Sequence, residues 1–215
     1  MKRTALLFAA AILLWATSAR ADEVVRSFRQ QVSVGSAGEV SLDFPVGQVT
    51  VEAWDNPQVD VDVKLACNHR ATSRCLAAAK AVRLIYNASG NRLRVYVKDW
   101  PKLGGAKGLH VIARISMPRD LALQADLGVG ELNVHGTAGD LTVDLGVGEV
   151  NVTLPKEAIA SVDLDAGVGE ATLVAAGKRY ENSGLFVREL HWDKGTGHSE
   201  VSVDCGVGEI DVVLK

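Results

Sequence analysis

One hexapeptide recurs five times along this chain: DFPVGQ from Asp43, DLGVGE from Asp126, DLGVGE from Asp144, DAGVGE from Asp165 and DCGVGE from Asp204. Apolar and polar residues alternate on both sides of each copy, as in Leu141-Thr142-Val143-Asp144-Leu145 before one corner and Val150-Asn151-Val152-Thr153-Leu154 after it. Successive side chains of an extended chain point to opposite faces, so period-two alternation marks a half-buried strand. Alternation on both sides of a glycine corner specifies two strands joined by a bend. A single such unit cannot bury its apolar edge alone, so the copies must stack.

The second glycine of the motif (Gly47, Gly130, Gly148, Gly169, Gly208) is present in every copy, whereas Pro45 replaces the first glycine in the earliest one. Proline fixes φ near −65°, so the first position does not require a positive φ, and the second glycine is the residue expected to turn the strand. Leu127, Leu145, Ala166 and Cys205 before the corner are expected to point inward, as are Leu132, Val150, Ala171 and Ile210 after it, followed by Val134, Val152, Leu173 and Val212. Asp126, Asp144, Asp165 and Asp204 then point outward, with Glu131, Glu149, Glu170 and Glu209 beyond the corner. Gly130 and Gly148 are 18 residues apart, Gly148 and Gly169 are 21, and Gly169 and Gly208 are 39. The last gap is close to two units and predicts a degenerate rung within 176–200. The expected fold is all-β, a repetitive parallel β-solenoid-like stack of two-strand rungs.

Residues 54–118 read as an insertion before the regular rungs of 119–215. Val59–Leu65, Leu84–Tyr86, Arg92–Lys98 and His110–Met117 alternate as strands, with a turn around Gly90. ATSRCLAAAKAVR (71–83) has helical composition, with Thr72 or Ser73 near its start. WPKLGGAKG (100–108) reads as a basic, glycine-rich loop.

The chain opens MKRTALLFAAAILLWATSARADE. Lys2 and Arg3 precede an uncharged apolar run, and Ala19-Arg20-Ala21 supplies the small-x-small pattern of a signal peptidase site. The run is shorter than the roughly 20 residues of a membrane span. Residues 1–21 are therefore expected to be a cleaved signal peptide, and 22–215 one exported domain with no membrane span after cleavage. Removing Lys2, Arg3 and Arg20 from 23 basic residues leaves 20 against 26 acidic ones. That acidic balance argues against nucleic acid as a partner. In an oxidising compartment, the close pair Cys67 and Cys75 in CNHRATSRC is expected to form a disulfide, leaving Cys205 free.

The order of these features carries a resemblance. VTVEAWDNPQVDVDV (49–63) precedes the helix, ISMPRDLALQADLGVGELNV (115–134) follows it, and a run of GxG-acidic-β units comes next. Over 39–215 the chain resembles the bacterial β-strand-repeat family of putative adhesins, also called toast-rack domains. The resemblance implies a repetitive β-solenoid-like stack at the surface or in the envelope, and it carries over no catalytic residues. Gln48, where the other copies have glutamate, departs from the family pattern.

Other chemistries fit less well. A dinucleotide loop needs a third glycine three residues after the second, where this chain has Asn133, Asn151 and Asp211, and no Gly-Lys follows for a triphosphate loop. There is no GxSxG elbow and no adjacent Cys/His pair. His191, His198 and Glu200 in HWDKGTGHSE match no tetrahedral metal spacing. Cys205 takes a core position and reads as a small buried hydrophobe.

In-register stacking would set equivalent carboxylates about 4.8 Å apart. The repulsion in water is then roughly 0.9 kcal/mol per adjacent pair, which a solvated face tolerates. Alternatively Asp126, Glu131, Asp144, Glu149, Asp165, Glu170, Asp204 and Glu209 are metal candidates through calcium bridging. Sugar clefts need stacking rings, and only Trp54, Trp100 and Trp192 follow the signal segment. The expected function is therefore non-catalytic and without a cofactor: an adhesin-like binding, scaffold or sensing module for an envelope protein or surface polymer, periplasmic or at the cell surface. A calcium- or polysaccharide-binding β-helix is the alternative, and a polysaccharide-cleaving enzyme stands last.

Overall fold

The computed structural model describes residues 22–68, 71–102, 108–184 and 188–215. The segment read as a signal peptide and the centre of the 100–108 loop lie outside them. In chain order the elements are β1 (Glu23–Ser33), β2 (Glu39–Trp54), β3 (Gln58–Cys67), α1 (Ser73–Ala81), β4 (Arg83–Ser89), β5 (Arg92–Lys98) and β6 (Leu109–Pro118). They continue with β7 (Ala122–His135), β8 (Leu141–Leu154), β9 (Ile159–Ala175), β10 (Lys178–Gly184), β11 (Arg188–Trp192) and β12 (Ser199–Leu214).

Each hexapeptide lies in the middle of one long strand. The five strands run parallel in the order β2-β7-β8-β12-β9, with Gly47, Gly130, Gly148, Gly208 and Gly169 level with one another. The links force a fold at the corner. Fourteen straight residues would span about 46 Å, yet residues 155–158 carry the chain from the end of β8 to the start of β9, a reach of at most about 18 Å. Each strand must therefore double back, its two arms facing each other. Burial agrees: Leu141, Val143 and Leu145 are buried before the corner and Val150, Val152 and Leu154 after it, with the parity reversed across Gly146-Val147-Gly148. Every inward residue read from the alternation is buried, and the side chains of both arms join one core.

The second glycine makes this corner possible. Gly148 has φ 144°, and a Cβ there would lie 1.7 Å from the Gly130 carbonyl oxygen. The first glycine is also constrained, by space and not by φ: a Cβ on Gly146 would lie 2.5 Å from the Gly128 oxygen. Pro45 escapes this because β2 has no continuous strand beneath it. β5 pairs with β2 up to Tyr96 opposite Asp43, and β6 joins only from Val111 opposite Gly47. The 54–118 segment thus supplies a broken rung, β5 under one arm and β6 under the other.

The sheet is mixed, which corrects the purely parallel stack. β3 pairs antiparallel with β6, β1 with β3, and β4 with β5. At the other end, β10 and β11 run antiparallel along the two arms of β9. The rung expected within 176–200 is therefore a return rung of opposite direction, because a tight turn at Ala176-Gly177, both at positive φ, reverses the chain. Rung order also departs from chain order, since β12 enters between β8 and β9. Its start is fastened there by Ser199 Oγ donating to the Ala138 carbonyl (2.7 Å) and Glu200 N–H donating to Asp140 Oδ1 (3.0 Å). Gly195 and Gly197 let the incoming chain pass over the start of β9: a Cβ on either would meet the backbone of 158–160 at about 2 Å.

The helix α1 begins at the N-cap Thr72, whose Oγ1 accepts from Cys75 N–H at 3.2 Å. A Cys67–Cys75 disulfide, Cα atoms 6.3 Å apart, ties its first turn to the end of β3. Arg26 on β1 closes the other end by donating to the carbonyls of Ala79 (2.8 Å) and Val82 (2.7 Å).

Candidate functional site

The in-register corners turn the hexapeptide into three outward columns. Asp43, Asp126, Asp144, Asp204 and Asp165 are consecutive partners on one side. Gln48, Glu131, Glu149, Glu209 and Glu170 are consecutive partners on the other. Between them, at the edge where each strand doubles back, stand Val46, Val129, Val147, Val207 and Val168. Four of these valines are 43–47% exposed. Sequence reading assigned the acidic columns and passed over the valines, because alternation loses its phase at the corner. The available signal was the identity of that residue in all five copies.

The columns differ in electrostatics along the ladder. Arg94 on β5 neutralises Asp43 at 2.7 Å. Burial holds the Asp126 carboxyl above its ordinary range, and the charges of Asp43 and then Asp144 add to this against a hydrogen bond from Gln124. Asp204 is raised by burial and by the charges of Asp165 and Asp144. Glu131 accepts hydrogen bonds from Gln48 Nε2 (3.1 Å) and Asn133 Nδ2 (2.8 Å). The glutamine that departs from the repeat therefore relieves repulsion at the first level of the column. Among the described residues, no three His, Cys, Asp or Glu side chains come together as a metal-holding group.

The remaining candidates are dispersed. His191 pairs with Asp163 across β11 and β9, which raises its pKa by hydrogen bonding and charge. His198 lies in the link, where its backbone N–H donates to the Ala158 carbonyl. Cys205 is buried, and burial pushes its thiol pKa up, the opposite of an activated nucleophile. The tryptophans do not converge: Trp192 is buried within the core, Trp100 is partly buried at the core's margin, and Trp54 lines a shallow cleft with Pro57, Pro118 and Arg119. No helix among the described residues is long and apolar enough to cross a membrane.

No family model and no curated protein matches the chain. Among solved structures, it is similar to a putative cell adhesion protein from Clostridium sporogenes, with TM-score 0.53 and 19% identity over 88% of this chain and 99% of that one. Two putative adhesins also align, both at TM-scores too low to bear on the fold. The one from Parabacteroides merdae has TM-score 0.27 and 10% identity over 63% of this chain and 62% of its own. The one from Bacteroides fragilis has TM-score 0.30 and 8% identity over 87% and 97%. The first likeness establishes a common fold, and the resemblance read from the repeats to the putative adhesins is met at that level.

Proposed function

We propose that this chain is an exported, non-catalytic, adhesin-like binding module of the cell envelope, periplasmic or at the cell surface, which holds its partner against the corner face of the ladder. The observation that carries this reading is the register of the Asp, Val and Glu columns. A reaction centre brings different groups together at one point, such as an acid opposite a base or a nucleophile beside its activator. This corner repeats the same groups at successive levels, which suits a long contact with an envelope protein or a surface polymer. The fold shared with a putative cell adhesion protein supports the reading, and a disulfide in a chain that opens like an export signal supports an oxidising compartment.

The test is capture. The oxidised protein, purified from the envelope and expected to begin at Asp22, is immobilised and exposed to detergent-solubilised envelope. A discrete retained partner, or retention on a purified surface polymer, is expected. Retention of neither, or cleavage of a polymer, would overturn the reading.

One observation favours a second reading, calcium bridging along the aspartate column: neighbouring charges help to raise Asp126 and Asp204, and a cation would relieve them.

A further inference from the structure

The valine column is unlike the rest of the outward surface. Among the described residues six large apolar side chains are exposed, and four of them are Val129, Val147, Val207 and Val168, on adjacent strands. Isolated exposed apolar residues need no explanation, but a contiguous row does. At about 4.8 Å per level the row is roughly 14 Å long. The conformation does not demand valine, since threonine has the same branching and β preference and would be solvated. Glycines on either side of each valine leave the row standing clear of the corner.

The flanks define what can cover it. Asp126, Asp144, Asp204 and Asp165 line one side, Glu131, Glu149, Glu209 and Glu170 the other, and none forms an ion pair among the described residues. A second copy of this ridge would bring like charges together, and an anionic lipid surface or nucleic acid would be repelled. We propose that the row Val129-Val147-Val207-Val168 seats a cationic amphipathic segment of another protein, its apolar stripe on the valines and its Lys or Arg side chains on both flanks reaching the carboxylate columns. This rests on the adhesin-like reading and names the chemistry of the partner.

The probe is a labelled amphipathic peptide of about 14 residues, roughly 21 Å as a helix, with a leucine stripe flanked on both sides by lysines. Binding to the whole oxidised chain is followed by fluorescence anisotropy. Saturable, salt-sensitive binding is expected, weakened at least about tenfold when serine replaces the leucines or glutamate replaces the lysines. The triple variant Val129→Thr, Val147→Thr, Val207→Thr should weaken binding by a similar factor with an unchanged melting temperature. Should that variant melt early, Asp144→Asn with Glu149→Gln leaves the valines intact and should weaken binding and flatten its salt dependence. Equal binding of the serine-stripe peptide, unchanged binding by the variants, or no saturable binding overturns the proposal. An envelope partner still captured by the threonine variant overturns it too and leaves the adhesin-like reading standing. Peptide binding without any captured envelope partner has the reverse meaning.

Discussion

A Cβ on Gly148 would lie 1.7 Å from the carbonyl oxygen of Gly130, one level down the ladder. Strand spacing and corner shape are thus one constraint: the backbone can double back while staying hydrogen-bonded to its neighbour only if this position has no side chain.

Gly148→Ala should therefore destabilise strongly, through about 1–3 kcal/mol of backbone strain and a further cost from pushing the neighbouring strand away. Gly146→Ala should cost less, since its clash distance is 2.5 Å and its φ is not positive. Pro45→Ala should cost least, as no continuous strand lies beneath it. Urea unfolding of the three variants checks this order. A Gly146→Ala cost equal to that of Gly148→Ala would show that the corner has been assigned wrongly, since both clash distance and φ rank Gly148 as the more demanding position.

Opening the Cys67–Cys75 bridge releases a loop with a sequence separation of 8. Cys67→Ser with Cys75→Ser should lower stability by about 2–3 kcal/mol in the chain-entropy model, with the loss centred on α1. Amide hydrogen exchange would localise it. Native alkylation should leave Cys205 unmodified, and rapid labelling there would contradict its burial.

Asp126 and Asp204 keep their protons to higher pH when folded than the ordinary aspartate value of 3.8. Burial is the larger cause, and neighbouring aspartates add to it. Between 3.8 and the raised folded values the native chain binds protons that the unfolded chain has released. Their contribution is then fully present below 3.8 and lost as pH rises through the folded values. Asp144→Asn removes a charge that acts on both residues. It should be the more stable form at neutral pH, by about 1 kcal/mol, and its advantage should shrink on acidification. Paired melts across that range at constant ionic strength decide it, and an advantage that grows towards acid would reverse the sign.

Sodium chloride should raise the melting temperature modestly by screening the columns. If the columns are simply solvated, calcium at matched ionic strength should add nothing. A calcium-specific rise that Asp144→Asn with Glu149→Gln abolishes would instead establish the cation-bridging reading by mass action on the native state.

The rungs were legible because each corner reverses the parity of alternation, so Leu145 and Val150 read as inward although they stand an odd five positions apart. Rung order was not legible. β8, β9 and β12 present the same outward Asp, Val and Glu and differ inward only in which apolar residue they carry, so no local signal says which are neighbours; the choice rests on contacts such as Asp140 to Glu200, 60 residues apart. β1 escaped notice because an edge strand buries little and shows weak periodicity. Direction within 178–192 was equally silent, since alternation is the same whichever way a strand runs.

The place of β12 has a consequence for how the chain acquires its shape. β8 and β9 are joined by only four residues, yet in the finished fold each lies against β12 and not against the other. A chain emerging from its first residue onward holds both strands long before their shared neighbour exists. The core between Leu145 and Ala166 can then close only when Cys205 arrives. Completion waits for the last strand in chain order, and premature pairing of β8 with β9 is the trap along the way.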